Sequence, residues 1–376
     1  MNYSDIYELL GNIVSNYITN YLIGKPIVQH ESIVELEDVD ESNDSIFLLT
    51  SPKEILKEIV EDRQEVGEEI IAIDGSSRSL VLMSGIISIS AVAAYSSKLG
   101  SIEVYPPLYG MRSLKINAPF IAISPFYKYS SNSLDPYIYS SKFIMTTSLD
   151  GSLLIGNDPI KVEAQLRFIL ETEALNYLKD KKYIIIDGPL LPSFPNFKNS
   201  LRNKFFEIRS KSLSAGTLGI VKRLEKSKLL ISVLSRYRDE VISKYKIDPL
   251  RYLSDESLLF NIIRFNEVPP YKKFLVGPIL KLIDNTKIYI NYLIIPIHPF
   301  LSKFFILRIE SLINSDKLLS LISNLKFTAD GVPNVIAIAD KTSKIVTSGL
   351  LRFVKSLLEN SGVNISFTSR IEAVDL

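Results

Sequence analysis

Glu69-Ile70-Ile71-Ala72-Ile73-Asp74-Gly75 and Lys182-Tyr183-Ile184-Ile185-Ile186-Asp187-Gly188-Pro189 are the two stretches that decide the fold. Each is a short run rich in β-branched residues that closes on Asp-Gly, the pattern of a strand ending in a turn. Consecutive apolar positions, with no alternation, indicate a strand covered on both faces. An aspartate at the end of such a strand loses hydration and needs a partner. If the two strands are parallel neighbours, Asp74 and Asp187 fall at the same edge of the sheet. The helical pattern at 161–178 lies between them, reads as amphipathic, and has the length of a right-handed crossover. It carries Glu171 and Glu173, and Glu173 shares the stripe of Leu166, Leu170 and Tyr177 at helical spacing.

Outward from this core, residues 4–23 show helical spacing through Ile6, Leu9, Leu10, Ile13, Val14, Tyr17 and Leu22. Their apolar face, from Ile6 to Leu22, is a candidate contact for a partner. The acidic segment 31–44 reads as a solvated connection, and 51–65 as a second helix with Ser51-Pro52 at its start. Residues 79–97 are uncharged apart from their flanks and prompt a membrane check. The alternation Ile87-Ser88-Ile89-Ser90 and the break at Gly85 favour strands of a meander over a spanning helix. The Tyr-, Ser- and Pro-rich segment from about 105 to 157 reads as short strands and long loops. Further on come a polar helix (195–212), a strand (219–222), helix to about 245, and two β-rich runs (287–297 and 304–310). An α/β pair closes the pattern at 311–360. The expected fold is α/β, a mixed central sheet flanked by helices. A helical extension occupies 1–66, a single elaborated domain 67–376, and a β/loop insertion about 100–158.

Bulk composition narrows the chemistry. Lys and Arg number 43 and Asp and Glu 42 in 376 residues, a formal net charge of +1. A neutral total leaves room for a basic groove balanced by acidic patches elsewhere. Cysteine is absent, which excludes disulfides, thiolate metal sites and cysteine nucleophiles. With no secretory pattern at Met1-Asn2-Tyr3-Ser4-Asp5, a cytoplasmic protein is expected. The Ile-, Lys- and Glu-rich composition leans toward a thermophile. No Gly-rich phosphate loop of the Walker type is present, so ATP hydrolysis would have to come from a partner.

Asp74, a helix glutamate and Asp187 taken together suggest hard-cation chemistry. Convergent carboxylates repel one another, and oxygen donors of this kind suit Mg²⁺ or Mn²⁺. Two such ions can serve a phosphodiester displacement. A single Asp-Gly after a strand is usually only a turn, and either glutamate has a plain reading as a solvated helix residue. The order Asp on a first strand, Glu on a helix, Asp on a later strand is that of the RNase H-like fold, an analogy of architecture.

The motifs also resemble those of the NurA nucleases. Ile73-Asp74-Gly75-Ser76-Ser77-Arg78 is similar to the family's first motif, and Leu170-Glu171 before Ala174-Leu175 to its helix motif. Ile185-Ile186-Asp187-Gly188-Pro189-Leu190 resembles its Asp-Gly-Pro-Leu strand end, and Gly219-Ile220-Val221-Lys222-Arg223 its downstream Gly-Ile/Val-x-Lys segment. Gly331-Val332-Pro333 followed by Ala339-Asp340 resembles the closing Gly-Tyr-Pro…Ala-His motif, with Val332 at the tyrosine and Asp340 at the histidine. The resemblance implies an RNase H-like, Mn²⁺-dependent DNA nuclease of archaeal double-strand-break repair. It also implies a homodimer that resects DNA ends 5′ to 3′ with the hexameric ATPase HerA and cleaves single strands internally. It places Asp74, Glu171 and Asp187 in the catalytic metal site, with Asp340 as a fourth ligand. Asp340 suits a hard cation but lacks the proton chemistry of imidazole near neutral pH. The losses at Val332 and Asp340 support a competing reading, a weakly active or inactive NurA-like scaffold that binds DNA or the ATPase.

Arg78, just past Asp74, is the stronger candidate for a phosphate contact; Lys222 and Arg223 are others, against a surface role. Tyr127, Tyr129, Tyr137 and Tyr139 could stack on bases or simply pack. His298, beside Pro299 in an apolar run, reads as a loop residue rather than a ligand.

Overall fold

The structure is a computed structural model that describes residues 3–15, 26–30, 46–59, 68–82, 85–125, 138–140, 146–147, 153–154, 159–192, 199–283 and 286–360. The chain is mixed α/β, with helices flanking β-sheet. In chain order it opens with α1 (Tyr3–Ile13), β1 (Pro26–His30), β2 (Ile46–Leu48) and β3 (Leu56–Glu58). Then come β4 (Ile70–Leu82), β5 (Gly85–Ser96), β6 (Ile102–Tyr105), β7 (Arg112–Ser113) and β8 (Ile121–Pro125). Short strands β9 (Ile138–Ser140), β10 (Thr146–Thr147) and β11 (Leu153–Leu154) precede α2 (Pro159–Leu178) and β12 (Tyr183–Asp187). There follow α3 (Asn199–Ser212), β13 (Thr217–Val221), α4 (Leu229–Ser235), α5 (Arg238–Tyr245) and α6 (Asp255–Asn266). The last elements are β14 (Phe274–Ile283), β15 (Thr286–Pro296), β16 (Phe304–Ser311), α7 (Asp316–Ser323) and α8 (Asn334–Asn360).

Two compact units interleave along the chain: 1–35, 72–179 and 338–376 form one, and 36–71 with 180–337 the other. In the first, strands run in the order β4-β5-β6-β7, with β1 on β4 and β8 on β5. Ala122 of β8 and Val162, Leu166 and Ile169 of α2 form a buried cluster. Full burial of an aliphatic side chain of this size contributes about 1.5–3 kcal/mol, so this cluster anchors the helix. Amphipathic character was expected for α2, but it is buried almost all round, including polar Glu163, Gln165, Glu171 and Thr172. The apolar residues Ile6 and Leu10 of α1, and Val14 just past its end, are likewise buried, and Tyr7 meets Phe353 of α8 edge-on at 4.6 Å. Core packing thus takes up the described part of a face expected to meet a partner.

In the second unit the order is β2-β14-β15-β16-β13-β12, with β3 also on β14. β12 and β13 pair in parallel, whereas β13–β16, β16–β15 and β15–β14 are antiparallel, so the sheet is mixed as expected. The helix expected from 51 to 65 does not form over its described part. Ser51 does cap a turn, Pro52–Glu54, through its hydroxyl. The chain then extends, and Leu56–Glu58 pairs with Phe274–Val276, because an open strand edge satisfies its backbone groups. The closing pattern at 311–360 is two helices rather than an α/β pair. Val335, Ile336, Ala339, Val346, Leu350, Val354 and Leu358 are buried at three- and four-residue spacings, which only a helix can align. Helix α6 and strand β14 were not anticipated. The acidic segment 31–44 and Tyr127, Tyr129 and Tyr137 lie outside the described residues. Among the described residues no helix is long and apolar enough to cross a membrane.

Candidate functional site

Asp74 does not close its strand as expected; β4 continues past it to Leu82. It is buried with 2% exposure, flanked by Ala72 and Ile73 in the core. The residue after it explains how an acid-bearing helix reaches the strand. A Cβ on Gly75 would lie 2.8 Å from Arg167 Cγ and 2.8 Å from Glu171 Oε1, so only glycine admits these α2 side chains. Glu171 is therefore brought against β4 one residue from Asp74, and Arg167 Nε holds its Oε1 at 3.0 Å. Glu173 is only partly buried.

Helix α8 reaches the same strand. Ser343 Oγ lies 3.5 Å from Asp74 Oδ2 and 3.0 Å from the Asp340 carbonyl oxygen. A hydroxyl has one proton, and 3.5 Å is long, so the carbonyl bond is the firmer of the two. One turn on, Thr347 Oγ1 contacts the Ser76 carbonyl at 3.2 Å. The partly exposed side chain of Asp340 pairs with Lys344 Nζ at 2.8 Å. Within this unit, then, Asp74, Glu171 and the α8 turn carrying Asp340 are assembled around one stretch of β4. Ser343, Thr347 and Arg167 were missed by the sequence reading. The spacing Asp340, Ser343, Thr347 places all three on one helix face and would have been visible had 334–360 been read as helix.

Asp187 is the last residue of β12, as expected, and sits opposite Ile220 of β13. Gly188 follows with φ +107°, a conformation for glycine alone, and its N–H donates to the Ile220 carbonyl at 2.8 Å. Lys222, expected as a phosphate contact, places Nζ 2.6 Å from Asp187 Oδ2. Arg223 is exposed and Arg78 partly buried. Val332 sits in a turn where its N–H meets Thr328 Oγ1 at 3.1 Å. His298 is exposed and accepts the Phe300 N–H at 3.2 Å, a loop role as expected.

Asp74 buried within a strand, Glu171 lodged over a glycine, and lysines beside Asp187 and Asp340 make acid-rich hydrolases of mixed α/β architecture the class to compare. The NurA domain model matches residues 68–345. The chain belongs to the NurA family, and that family is one of nucleases. Similar solved structures include the NurA nuclease from Sulfolobus solfataricus, at 14% identity, covering 95% of this chain and 98% of that one with a TM-score of 0.48. A further NurA structure matches at 11% identity over 91% of this chain and 93% of its own, TM-score 0.35. A NurA bound to dAMP and manganese matches at 12% identity over 97% and 93%, TM-score 0.28. Among curated proteins nothing matches.

Proposed function

We propose that the chain is a metal-dependent DNA nuclease in which Asp74, Asp187 and Asp340 hold the cation. The observation that carries this reading lies within one unit of a nuclease-family member: an acidic set with Asp74 buried in β4 and the α8 turn carrying Asp340 beside it. Its donors are all carboxylate oxygens, with no imidazole or thiolate, which fits Mn²⁺ or Mg²⁺ rather than softer ions. When bound, such ions, two in this reading, activate water and neutralise charge on a phosphodiester. Glu171 would complete the acidic set on α2, while Arg78, Lys222 and Arg223 would neutralise phosphate along the strand ends. Lys222 can hold the Asp187 carboxylate in place before DNA arrives. The finer reading is a cytoplasmic homodimer working with a HerA-type hexameric ATPase to resect DNA ends 5′ to 3′ and cut single strands.

Besides the losses at Val332 and Asp340, a scaffold reading has one structural observation in its favour: Lys222, Arg167 and Lys344 give Asp187, Glu171 and Asp340 internal counter-charges. Such pairs can take over the neutralising role of a cation. Digestion of end-labelled single- and double-stranded DNA with Mn²⁺, Mg²⁺ or EDTA separates the two. Metal-dependent products are expected, and a folded protein giving none would leave only the scaffold. In the same preparation, Asp340→Asn is expected to weaken Mn²⁺ binding about tenfold by calorimetry. An unchanged affinity would remove Asp340 from the ligand set.

The helix acids are expected to separate in rate. Glu171, over Gly75, should cost about a hundredfold in cleavage as Glu171→Gln, and Glu173→Gln less than about threefold. Initial rates under saturating Mn²⁺ decide it, and the opposite ranking would move the role to Glu173.

A further inference from the structure

We infer that Glu310 and Arg308 of β16 are positioning residues for Asp187: a buried ion pair that clamps the turn presenting this carboxylate. The inference rests on the reading above in which Asp187 is a metal ligand. Strand β13 lies between β12 and β16, and Gly219 stands opposite both Ile186 and Glu310. A Cβ on Gly219 would lie 2.8 Å from the Gly188 carbonyl oxygen and 2.9 Å from the Leu190 nitrogen. The bare backbone thus lets the turn after Asp187 lie close across β13. There Glu310 Oε2 accepts the Leu190 N–H at 2.8 Å. With the Gly188 N–H on Ile220, the turn hangs from two hydrogen bonds that flank Pro189, which has no N–H of its own.

The clamp is itself anchored. Arg308 Nη2 lies 3.0 Å from Glu310 Oε1, and both side chains are buried. Arg308 Nη1 donates to Ser227 Oγ at 3.3 Å, and Ser227 in turn donates to Asp255 Oδ2 at 2.6 Å. Asp255, the first residue of α6, also accepts from Tyr292 Oη at 2.8 Å and from the Ile231 N–H of α4 at 3.0 Å. A connected polar chain therefore runs from the Asp187 turn into the core of its own unit. A buried ion pair is no better for stability than a well-packed apolar pair. An ionised acceptor, however, binds a backbone N–H about twice as strongly as a neutral one. That strength is spent at Leu190, three residues beyond Asp187, where it limits how far the carboxylate can drift. Groups that orient metal ligands in this way typically change metal affinity by about 10–100-fold.

Two variants separate positioning from plain stability. Glu310→Gln keeps an acceptor oxygen at a cost in stability, since Arg308 stays buried without the Glu310 charge, whereas Arg308→Met with Glu310→Leu removes the acceptor without leaving a lone buried charge. In calorimetry, the double variant is expected to bind Mn²⁺ at least about tenfold more weakly, with faster hydrogen exchange at residues 188–190. Its kcat on DNA should fall with KM unchanged, and Glu310→Gln should stay within about threefold of the parent in affinity. Parent-like Mn²⁺ affinity in a folded double variant would overturn the clamp. If the parent itself binds no Mn²⁺ through Asp187, the metal reading fails on its own, and exchange at 188–190 then judges the clamp: faster in the double variant upholds it, unchanged overturns it. Should the double variant not fold, the unaltered protein decides, because a Leu190 amide exchanging as fast as an open loop is incompatible with the Glu310 bond.

Discussion

Replacing Asp74 with alanine is expected to lower Mn²⁺-dependent cleavage of DNA by on the order of a thousandfold, with the protein still folded. Asp74 lies in the interior of β4, almost wholly buried, with Ser343 of α8 beside it and Glu171 lodged over the next residue. A carboxylate in that position costs desolvation, which a cation would offset if Asp74 is the ligand proposed above. Without the cation, the nearby acids repel one another, so removing one relieves repulsion in the metal-free state. The two effects predict opposite signs: activity collapses, while the melting temperature of the metal-free protein holds or rises. Scanning calorimetry with and without Mn²⁺ reads the second, and should show that the parent gains more from the ion than the variant does. If the alanine variant unfolds, Asp74→Asn keeps the shape and tests the charge alone. Undiminished cleavage in a folded variant would remove Asp74 from the site.

What could be read in the chain beforehand follows from where the information lies. Strand β12 was legible because its apolar run is local and continuous, and helix α2 because helical spacing is a local pattern. Asp74 was legible as an acid on a strand, but not as a mid-strand residue. Asp-Gly is ordinarily a turn signal, and only Glu171 and Arg167, a hundred residues away, explain why Gly75 sits in a strand. Strand β14 was not read at all, and the β14–β15 ladder shifts register between Val276 and Ile279, around Gly277-Pro278, and then resumes. The closing pattern at 311–360 was read as an α/β pair, and tertiary burial on one face made 334–360 helix. Leu56–Glu58 went the other way, since a sound cap at Ser51 served one turn only. In the site, the acids could be named from sequence, but their partners could not. Lys222 was seen as basic, though nothing local points it at Asp187, and Arg308 and Glu310 are an i, i+2 pair whose burial only the sheet reveals.

Gly219→Ala is expected to destabilise the fold by about 3 kcal/mol and to reduce cleavage with it, because overpacking alone costs about 1–3 kcal/mol and a strained buried hydrogen bond adds more. The new methyl would meet the Gly188 carbonyl oxygen at 2.8 Å and the Leu190 nitrogen at 2.9 Å, both backbone atoms of one tight turn. Neither can swing aside as a side chain would, so the turn must lift from β13. Lifting it stretches the Leu190 N–H from Glu310 and the Gly188 N–H from Ile220 together. Gly188→Ala makes the necessary contrast: nothing lies within 4 Å of its added Cβ, and its φ of +107° is the sole obstacle. That strain costs about 1–3 kcal/mol. Urea unfolding should therefore rank Gly219→Ala as the more harmful, while Mn²⁺ affinity falls in both, since each displaces the residues next to Asp187. If Gly219→Ala unfolds at the parent's urea midpoint, the close approach of the turn to β13 is absent in solution, and the support it lends Asp187 is absent with it.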